Sequence, residues 1–330
     1  LFSAISLLIV SAVAIYVACT WFINAVEWLG SRLKMGSIAI GSVLAAVGTA
    51  LPESVVTFVA VVLGDTPASK EVGVGAAMGG PLVLSTLAYA TIGVVLALTS
   101  RSLISRPAGG RNVVGDQTWF LVIFALKVAL GVLVFSWKPW LGWAFLVAYV
   151  VFVVLEVRQA SCAGAHRSDE LDRLRLQPSR SVPAGWAIGV QTAGTLAVIF
   201  VASQVFVAQL ENLGPDLGLS PAVVALLFAP VATELPEILN AVIWVRQGKT
   251  ELAMANIAGS MMIQATIPSA LGIGFTPWHF DSSLLIAGTV TLAAVALLML
   301  LGRLRRLTAG ALLGGFGIYA GFLTAVLIVN

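Results

Sequence analysis

The sequence predicts an all-α polytopic membrane protein, with ten transmembrane helices arranged as two inverted five-helix repeats. Three observations predict it. Of 330 residues, 59% are hydrophobic and 10% are charged, and the mean hydropathy is +1.01. A soluble chain of this length cannot hide so much apolar surface, and its apolar runs are long and continuous where a β-barrel's would alternate. Basic residues are distributed very unequally between alternate loops. Two segments, Gly48-Thr49-Ala50-Leu51-Pro52-Glu53 and Ala232-Thr233-Glu234-Leu235-Pro236-Glu237, place a proline and then a carboxylate inside an apolar run.

The spans are expected at about 4–29, 36–63, 71–99, 117–136, 139–157, 184–211, 219–245, 250–274, 281–301 and 308–329. The first ends at Gly30 and runs too directly into further spans to be a cleaved leader. The second would be about 40 Å long as one helix, against a hydrocarbon core of roughly 30 Å, so it tilts or breaks, and Pro52 supplies a break. Gly64-Asp65-Thr66-Pro67 closes it. Pro107-Ala108-Gly109-Gly110 follows the third span, and Lys138-Pro139 separates the fourth from the fifth. The longest polar stretch, 158–183, reads as a solvated hinge, with a lipid-binding or regulatory role as the other reading; Asp169 to Arg175 suits a short surface helix. Gly214-Pro215-Asp216, Gly248 and Thr276-Pro277 punctuate the second half.

Fifteen of the 18 Lys and Arg residues lie in loops after odd-numbered spans, Lys70 and Lys138 lie after even-numbered ones, and Lys127 lies inside the fourth span. Positive charge marks the cytoplasmic side, so both termini are expected outside, with Arg101 to Arg111 and the 158–183 loop inside. The expected location is the cell (inner or plasma) membrane, multi-pass. Cys19 and Cys162 form no C-x-x-C pair and are expected as free thiols. The net charge of +3 sits in short loops, and no nucleic-acid-binding pattern is present.

The halves repeat. Glu27 and Glu53 are 26 residues apart, as are Glu211 and Glu237, at a constant offset of 184. Beyond the intervening loop, Gly79-Gly80 falls on Gly259-Ser260 at an offset of 180. Residues 1–157 thus form one five-helix repeat, 158–183 a cytoplasmic linker loop and 184–330 a second repeat. An odd span count inverts the second relative to the first, which brings the proline-broken helices together near the midplane.

At these residues the chain resembles the cation/calcium antiporter superfamily, most closely its sodium/calcium exchanger branch. That family carries Gly-Thr-Ser-x-Pro-Glu in one helix and Gly-Asn-x-x-Gly-Ser-Asn-x-x-(Asn/Asp) in the next, twice over. Here the second segments read Gly75-Ala76-Ala77-Met78-Gly79-Gly80-Pro81-Leu82-Val83-Leu84 and Ala255-Asn256-Ile257-Ala258-Gly259-Ser260-Met261-Met262-Ile263-Gln264. The resemblance implies an ion site built from both repeats. The chain departs from the pattern at its closing positions: Leu84 cannot ligate, and Gln264 offers a neutral carbonyl. Glu234 replaces the usual serine one turn before Glu237.

Glu53 and Glu237 are the candidate metal-ligating carboxylates, because each follows a proline that frees backbone carbonyls, and carboxylate oxygens suit Ca²⁺. The alternative is a protonated glutamate bonded to a neighbouring helix. Thr49 and Thr233 add hydroxyl or carbonyl ligands, or bond back to their own helices. Glu234 is a ligand or a proton carrier, since two carboxylates one turn apart do not both ionise easily. Gln264 and Ser260 line the cavity. Asn256 either ligates or bonds between helices. Lys127 neutralises a carboxylate, stands in for a bound cation or snorkels to an interface. Glu27 and Glu211 are solvated span ends or vestibule groups, and His279 and His166 are peripheral.

The expected function is secondary antiport of Ca²⁺, or a related cation, against Na⁺ by alternating access. The alternatives are a proton-coupled exchanger, a non-transporting relative and an ion channel; internal inversion argues against a channel. No intramembrane-enzyme motif is present, and two peripheral histidines cannot build a metal centre. No cofactor is expected beyond the transported Ca²⁺ and Na⁺ or H⁺. The partners are the lipid bilayer and small cations, with no nucleic acid, and the oligomeric state is open, a monomer included.

Overall fold

The computed structural model describes residues 2–32, 45–99, 113–162, 171–248, 250–304 and 306–329, with the side chains of some helical residues, Thr49 among them, left undescribed. The described residues are helical throughout, apart from turns and short connections. Eight helical stretches are long and apolar enough to cross a membrane, and two shorter apolar helices, Ala50–Leu63 and Gln117–Val132, lie among them.

In chain order the helices are α1 (Phe2–Arg32), α2 (Ala45–Phe58), α3 (Pro67–Val83), α4 (Tyr89–Leu98), α5 (Val113–Val132), α6 (Leu141–Cys162), α7 (Gly185–Leu217), α8 (Pro221–Thr233), α9 (Leu235–Arg246), α10 (Thr250–Phe275), α11 (Ser282–Arg303) and α12 (Ala309–Val329). Their starts follow local chemistry. Thr66 Oγ1 accepts from Ser69 N at 2.9 Å ahead of Pro67, Ser220 Oγ from Val223 N at 3.3 Å ahead of Pro221, and Asp281 Oδ1 from Leu284 N at 2.8 Å. The end of α5 is capped by Lys138, whose ammonium donates to the Leu130 and Leu133 carbonyls at 3.0 and 2.8 Å.

The helices sort into an inner and an outer set. In the apolar stretches of Pro67–Leu98, Pro221–Arg246 and Ala253–Phe275, 72%, 69% and 83% of residues are buried, against 22–39% in the other long helices. The inner set carries the motif segments. Main pairings are α1 with α7, α3 with α8, α2 with α10, α4 with α12, α6 with α10, and α5 with α10 and α11. The α3–α8 contact is close because Gly75 and Gly79 face the backbone of Ala222 and Leu226: a Cβ at Gly75 would stand 2.8 Å from the Ala222 carbonyl carbon, and one at Gly79 2.7 Å from Pro230 Cγ.

Several expectations change. Pro52 does not break its span: α2 runs through it, since one proline removes a single helical bond, and the irregularity falls instead in a π-helical turn at Val59–Leu63. The fourth span stops at Val132. Cys162 lies in α6, not in a loop, and Cys19 is buried and forms no disulfide among the described residues.

The short surface helix expected at 169–175 does not form over the described residues 171–175. Residues 171–183 are instead strapped onto the facing ends of α1 and α7. Asn24 Nδ2 donates to the Asp172 and Arg173 carbonyls, Arg175 N to Asn24 Oδ1, Trp28 Nε1 to Asp172 O and Leu176 N to Gln191 Oε1, at 2.8–3.3 Å. These side chains take up backbone groups that a helix would pair internally. Leu174 is buried among Ala25, Trp28, Ala187 and Ile188, so this part of the stretch, though exposed over most of its length, is anchored to the helices. His166 and the 101–111 loop lie outside the described residues.

Candidate functional site

The inner helices bring the expected residues together. Glu53, Thr233, Glu234, Glu237, Asn256, Ser260 and Gln264 are all buried to within about 1% of full burial. The polypeptide breaks between α8 and α9 at Glu234, whose backbone adopts φ −95° and ψ −10°. Pro236 then occupies the first turn of α9, where its missing N–H leaves no helical bond unmade. Glu234 sits at this joint, and Glu237 faces inward one turn later.

Glu234 is the most heavily bonded carboxylate of the cluster. Its Oε1 accepts from Thr233 Oγ1 at 2.8 Å, and its Oε2 accepts from Gln264 Nε2 at 2.8 Å. It also lies close enough to the Glu53 carboxyl for the two groups to interact electrostatically. Two buried carboxyl groups this near each other do not both ionise easily. Both oxygens of Glu53 are buried with no hydrogen-bond partner among the described residues.

Glu53 reaches this position because Gly80 has no side chain. A Cβ at Gly80 would stand 2.7 Å from both Cδ and Oε1 of Glu53, well inside contact distance. The signal was present in sequence as Gly79-Gly80, but which carboxyl used the gap was not. Asn256, Ser260 and Gln264 are spaced four apart and therefore share one face of α10. The amide of Asn256 and Oε1 of Gln264 are buried without partners, which leaves neutral oxygens available beside the carboxylates. Among the described residues no three acidic, His or Cys side chains converge as a ready-made metal cage. The side chain of Thr49 lies outside the described residues.

Lys127 is the residue whose role the sequence left open, and snorkelling is excluded. Its side chain is fully buried. The ammonium donates to the Ala77 carbonyl of α3 at 2.8 Å and lies 4.8 Å from the Phe124 ring centroid. An unpaired charge at this depth would cost several kcal/mol. The backbone of Lys127 is pinned in turn: its carbonyl accepts from Trp278 Nε1 at 3.1 Å. Trp278 itself holds a positive φ of 46°, fixed by Thr276 Oγ1 on its N–H and Lys138 Nζ on its carbonyl, each at 3.0 Å. Trp278 is therefore buried, while His279 beside it is exposed. Glu211, a matched span end, accepts from Thr66 Oγ1 at 3.1 Å.

Leu84, where the family pattern has Asn or Asp, is fully buried in a π-helical turn at Leu84–Ala88 that joins α3 to α4.

A family model described as "Sodium/calcium exchanger protein" matches residues 3–158 and 188–325. CaxA of Alkalimonas amylolytica is 24% identical over 296 residues, covering 87% of this chain and 86% of its own. The inner membrane protein YrbG of Escherichia coli is 24% identical over 290 residues, covering 84% and 82%. Among solved structures, the H⁺/Ca²⁺ exchanger CAX superposes with a TM-score of 0.70 at 15% identity, over 99% of this chain and 87% of that one. The sodium-calcium exchanger NCX_Mj gives 0.61 at 16% identity, over 99% of both chains.

Proposed function

Because the chain belongs to the sodium/calcium exchanger protein family, and is a multi-pass membrane protein by its helices and relatives, we propose that it is a secondary antiporter exchanging Ca²⁺, or a related divalent cation, for a monovalent cation at the carboxylate cluster of Glu53, Glu234 and Glu237. Thr233, Gln264 and Ser260 supply neutral oxygens from the second half, with Thr49 as their counterpart in the first. The observation that carries this reading is the complete burial of the Glu53, Glu234 and Glu237 carboxyls at the joint of the inner helices. Such a cluster binds either a divalent ion or its monovalent competitors, and mutual exclusion at one site couples the two fluxes.

The proximity of Glu53 and Glu234 also favours a proton over Na⁺ as the counter-ion, since two neighbouring buried carboxyls do not both ionise easily and a divalent cation would displace the proton that one of them keeps. The deciding experiment is flux in proteoliposomes with Ca²⁺, Na⁺ and pH gradients imposed separately. Uptake driven by a pH gradient alone is expected. Uptake indifferent to both monovalent gradients rejects coupled exchange.

The cluster belongs to two inverted five-helix repeats, 1–157 and 184–330, joined by the 158–183 linker. The helix pairings support this reading: exchanging the halves carries α3–α8 onto α10–α2 and α4–α12 onto α10–α6, and returns α1–α7 and α5–α11 to themselves. With the basic loops cytoplasmic, both termini face the outside. A cysteine engineered into the 158–183 loop is expected to resist an impermeant reagent added outside intact cells; labelling from outside reverses the orientation.

The seat at Gly80 yields a further expectation. In Gly80→Ala the added methyl must expel the Glu53 carboxyl, and a displacement near 1 Å costs on the order of 100-fold in function. Divalent uptake at limiting concentration is expected to fall about 10- to 100-fold in protein that still purifies as a folded monodisperse species. Uptake at the wild-type level places the working carboxylate elsewhere.

A further inference from the structure

We infer that the Lys127 ammonium is a resident counter-cation for Glu53, filling the place that a bound monovalent cation would take in the first half of the molecule. The inference rests on the exchanger reading above and specifies how the site is charged.

The two halves are unequal where they face the cluster. At the 180-residue offset, Asn256, Ser260 and Gln264 of α10 correspond to Ala76, Gly80 and Leu84. The second half offers three polar side chains along one face, and the first offers none. Oxygen ligands for a mobile cation have gone from that side, yet the Glu53 carboxyl remains, fully buried on Gly80. A buried carboxylate without ligand-bound cations needs another positive charge.

Lys127 supplies it from α5. Its ammonium is anchored on a carbonyl that the sequence itself frees. Residue 81 is proline and has no N–H to donate to the Ala77 carbonyl one turn earlier. Lys127 Nζ donates to that oxygen at 2.8 Å. A helical carbonyl points toward the following turn, so the ammonium lies beside the Gly80–Pro81 step on which the Glu53 carboxyl rests. A backbone carbonyl and an aromatic face around one ammonium, with the Glu53 carboxyl seated on neighbouring Gly80, are groups that also recognise small cations. The bond from Trp278 to the Lys127 carbonyl fixes the backbone at this depth, so the charge is held in place.

The groups that share this field are few. Glu53 comes from α2, and Glu234 and Glu237 come from the α8–α9 joint. The charged residues of α3, Lys70 and Glu71, lie in its first two turns. α10 and α11 present no charged side chain at this depth among the described residues. Removing the ammonium therefore leaves Glu53 in deficit, to be met by Na⁺ or by a proton from solution.

The test uses the purified full-length chain and reads Tm against NaCl, with choline chloride holding ionic strength, from pH 6 to 9. Lys127→Gln keeps an amide donor toward Ala77 and removes the charge. It is expected to gain a stabilisation absent from the wild type, on the order of a few degrees, produced by Na⁺ or by lowered pH. Which of the two acts identifies the ion that Lys127 replaces. The gain is expected to vanish in Lys127→Gln/Glu53→Gln, and Lys127→Arg is expected to behave as the wild type. A Lys127→Gln protein whose Tm responds to Na⁺ and pH as the wild type does overturns the inference and leaves Lys127 as a cap on the Ala77 carbonyl. If Lys127→Gln does not fold, Lys127→Met/Glu53→Gln decides: recovery of folded protein in this neutral pair supports charge compensation, and no recovery rejects it. The Tm readout needs no transport, so absent flux in wild-type proteoliposomes counts against the exchanger reading without deciding this one.

Discussion

Glu53→Gln and Glu237→Gln are each expected to abolish divalent exchange while leaving folded protein. The amide matches the carboxyl in shape, so the packing on Gly80 and at the α8–α9 joint survives. What is lost is one negative charge at a fully buried position. Breaking one partner of a buried charged set costs about 3–5 kcal/mol, and each 1.4 kcal/mol is tenfold in affinity. Divalent flux should therefore fall by about 100-fold or more in both variants. They should differ in one respect. Glu53→Gln also strips Lys127 of its opposite charge, so its Tm should drop below that of Glu237→Gln. Isotope uptake in proteoliposomes with melting of the same preparations checks both parts. Near-normal flux and divalent affinity in the two variants would rule out this cluster as the transport site.

Much of this arrangement is legible in the sequence, because the membrane constrains composition so strongly. Apolar runs separated by Gly and Pro locate the helices, and the Leu-Pro-Glu pair at a fixed offset identifies the two segments that meet. Legibility fails where tertiary contact decides. Both Leu-Pro-Glu segments look alike, yet α2 passes through Pro52 while the chain breaks at Glu234. Local pattern cannot tell them apart, since the difference depends on what else satisfies the backbone. Gly80 reads as a small residue in an apolar run, and only the packed structure shows that Glu53 needs the gap. Lys127 is ambiguous in sequence because a lysine five residues before the end of its helix, at Val132, can snorkel or turn inward. The carbonyl freed by Pro81, 46 residues earlier, was a signal for the inward choice. The strap at 171–183 escaped because polar composition marks exposure only on average, while Asn24 and Gln191 were waiting in the helices to bind its backbone.

Replacing Glu234 by serine is expected to change which ion drives transport. On the proposed mechanism one of the neighbouring Glu53 and Glu234 carboxyls keeps a proton, and divalent binding releases it. By linkage, raising the pH removes that proton and strengthens apparent divalent affinity, by up to about tenfold per pH unit for one proton released. The dependence flattens once the pair is already deprotonated. Serine in place of Glu234 leaves no second carboxyl for Glu53 to share with, and removes the acceptor for Thr233 Oγ1 and Gln264 Nε2. The freed hydroxyl and amide oxygens become neutral ligands of the kind a monovalent metal ion accepts. Ca²⁺ uptake in Glu234→Ser should accordingly lose most of its pH dependence and become more strongly inhibited by Na⁺. The measurement is uptake against pH, with and without Na⁺, in both proteins. A wild-type protein with flat pH dependence and strong Na⁺ competition would make sodium the driver and reduce the Glu53–Glu234 contact to packing. A Glu234→Ser protein as pH-sensitive as the wild type would place the exchanged proton on another group.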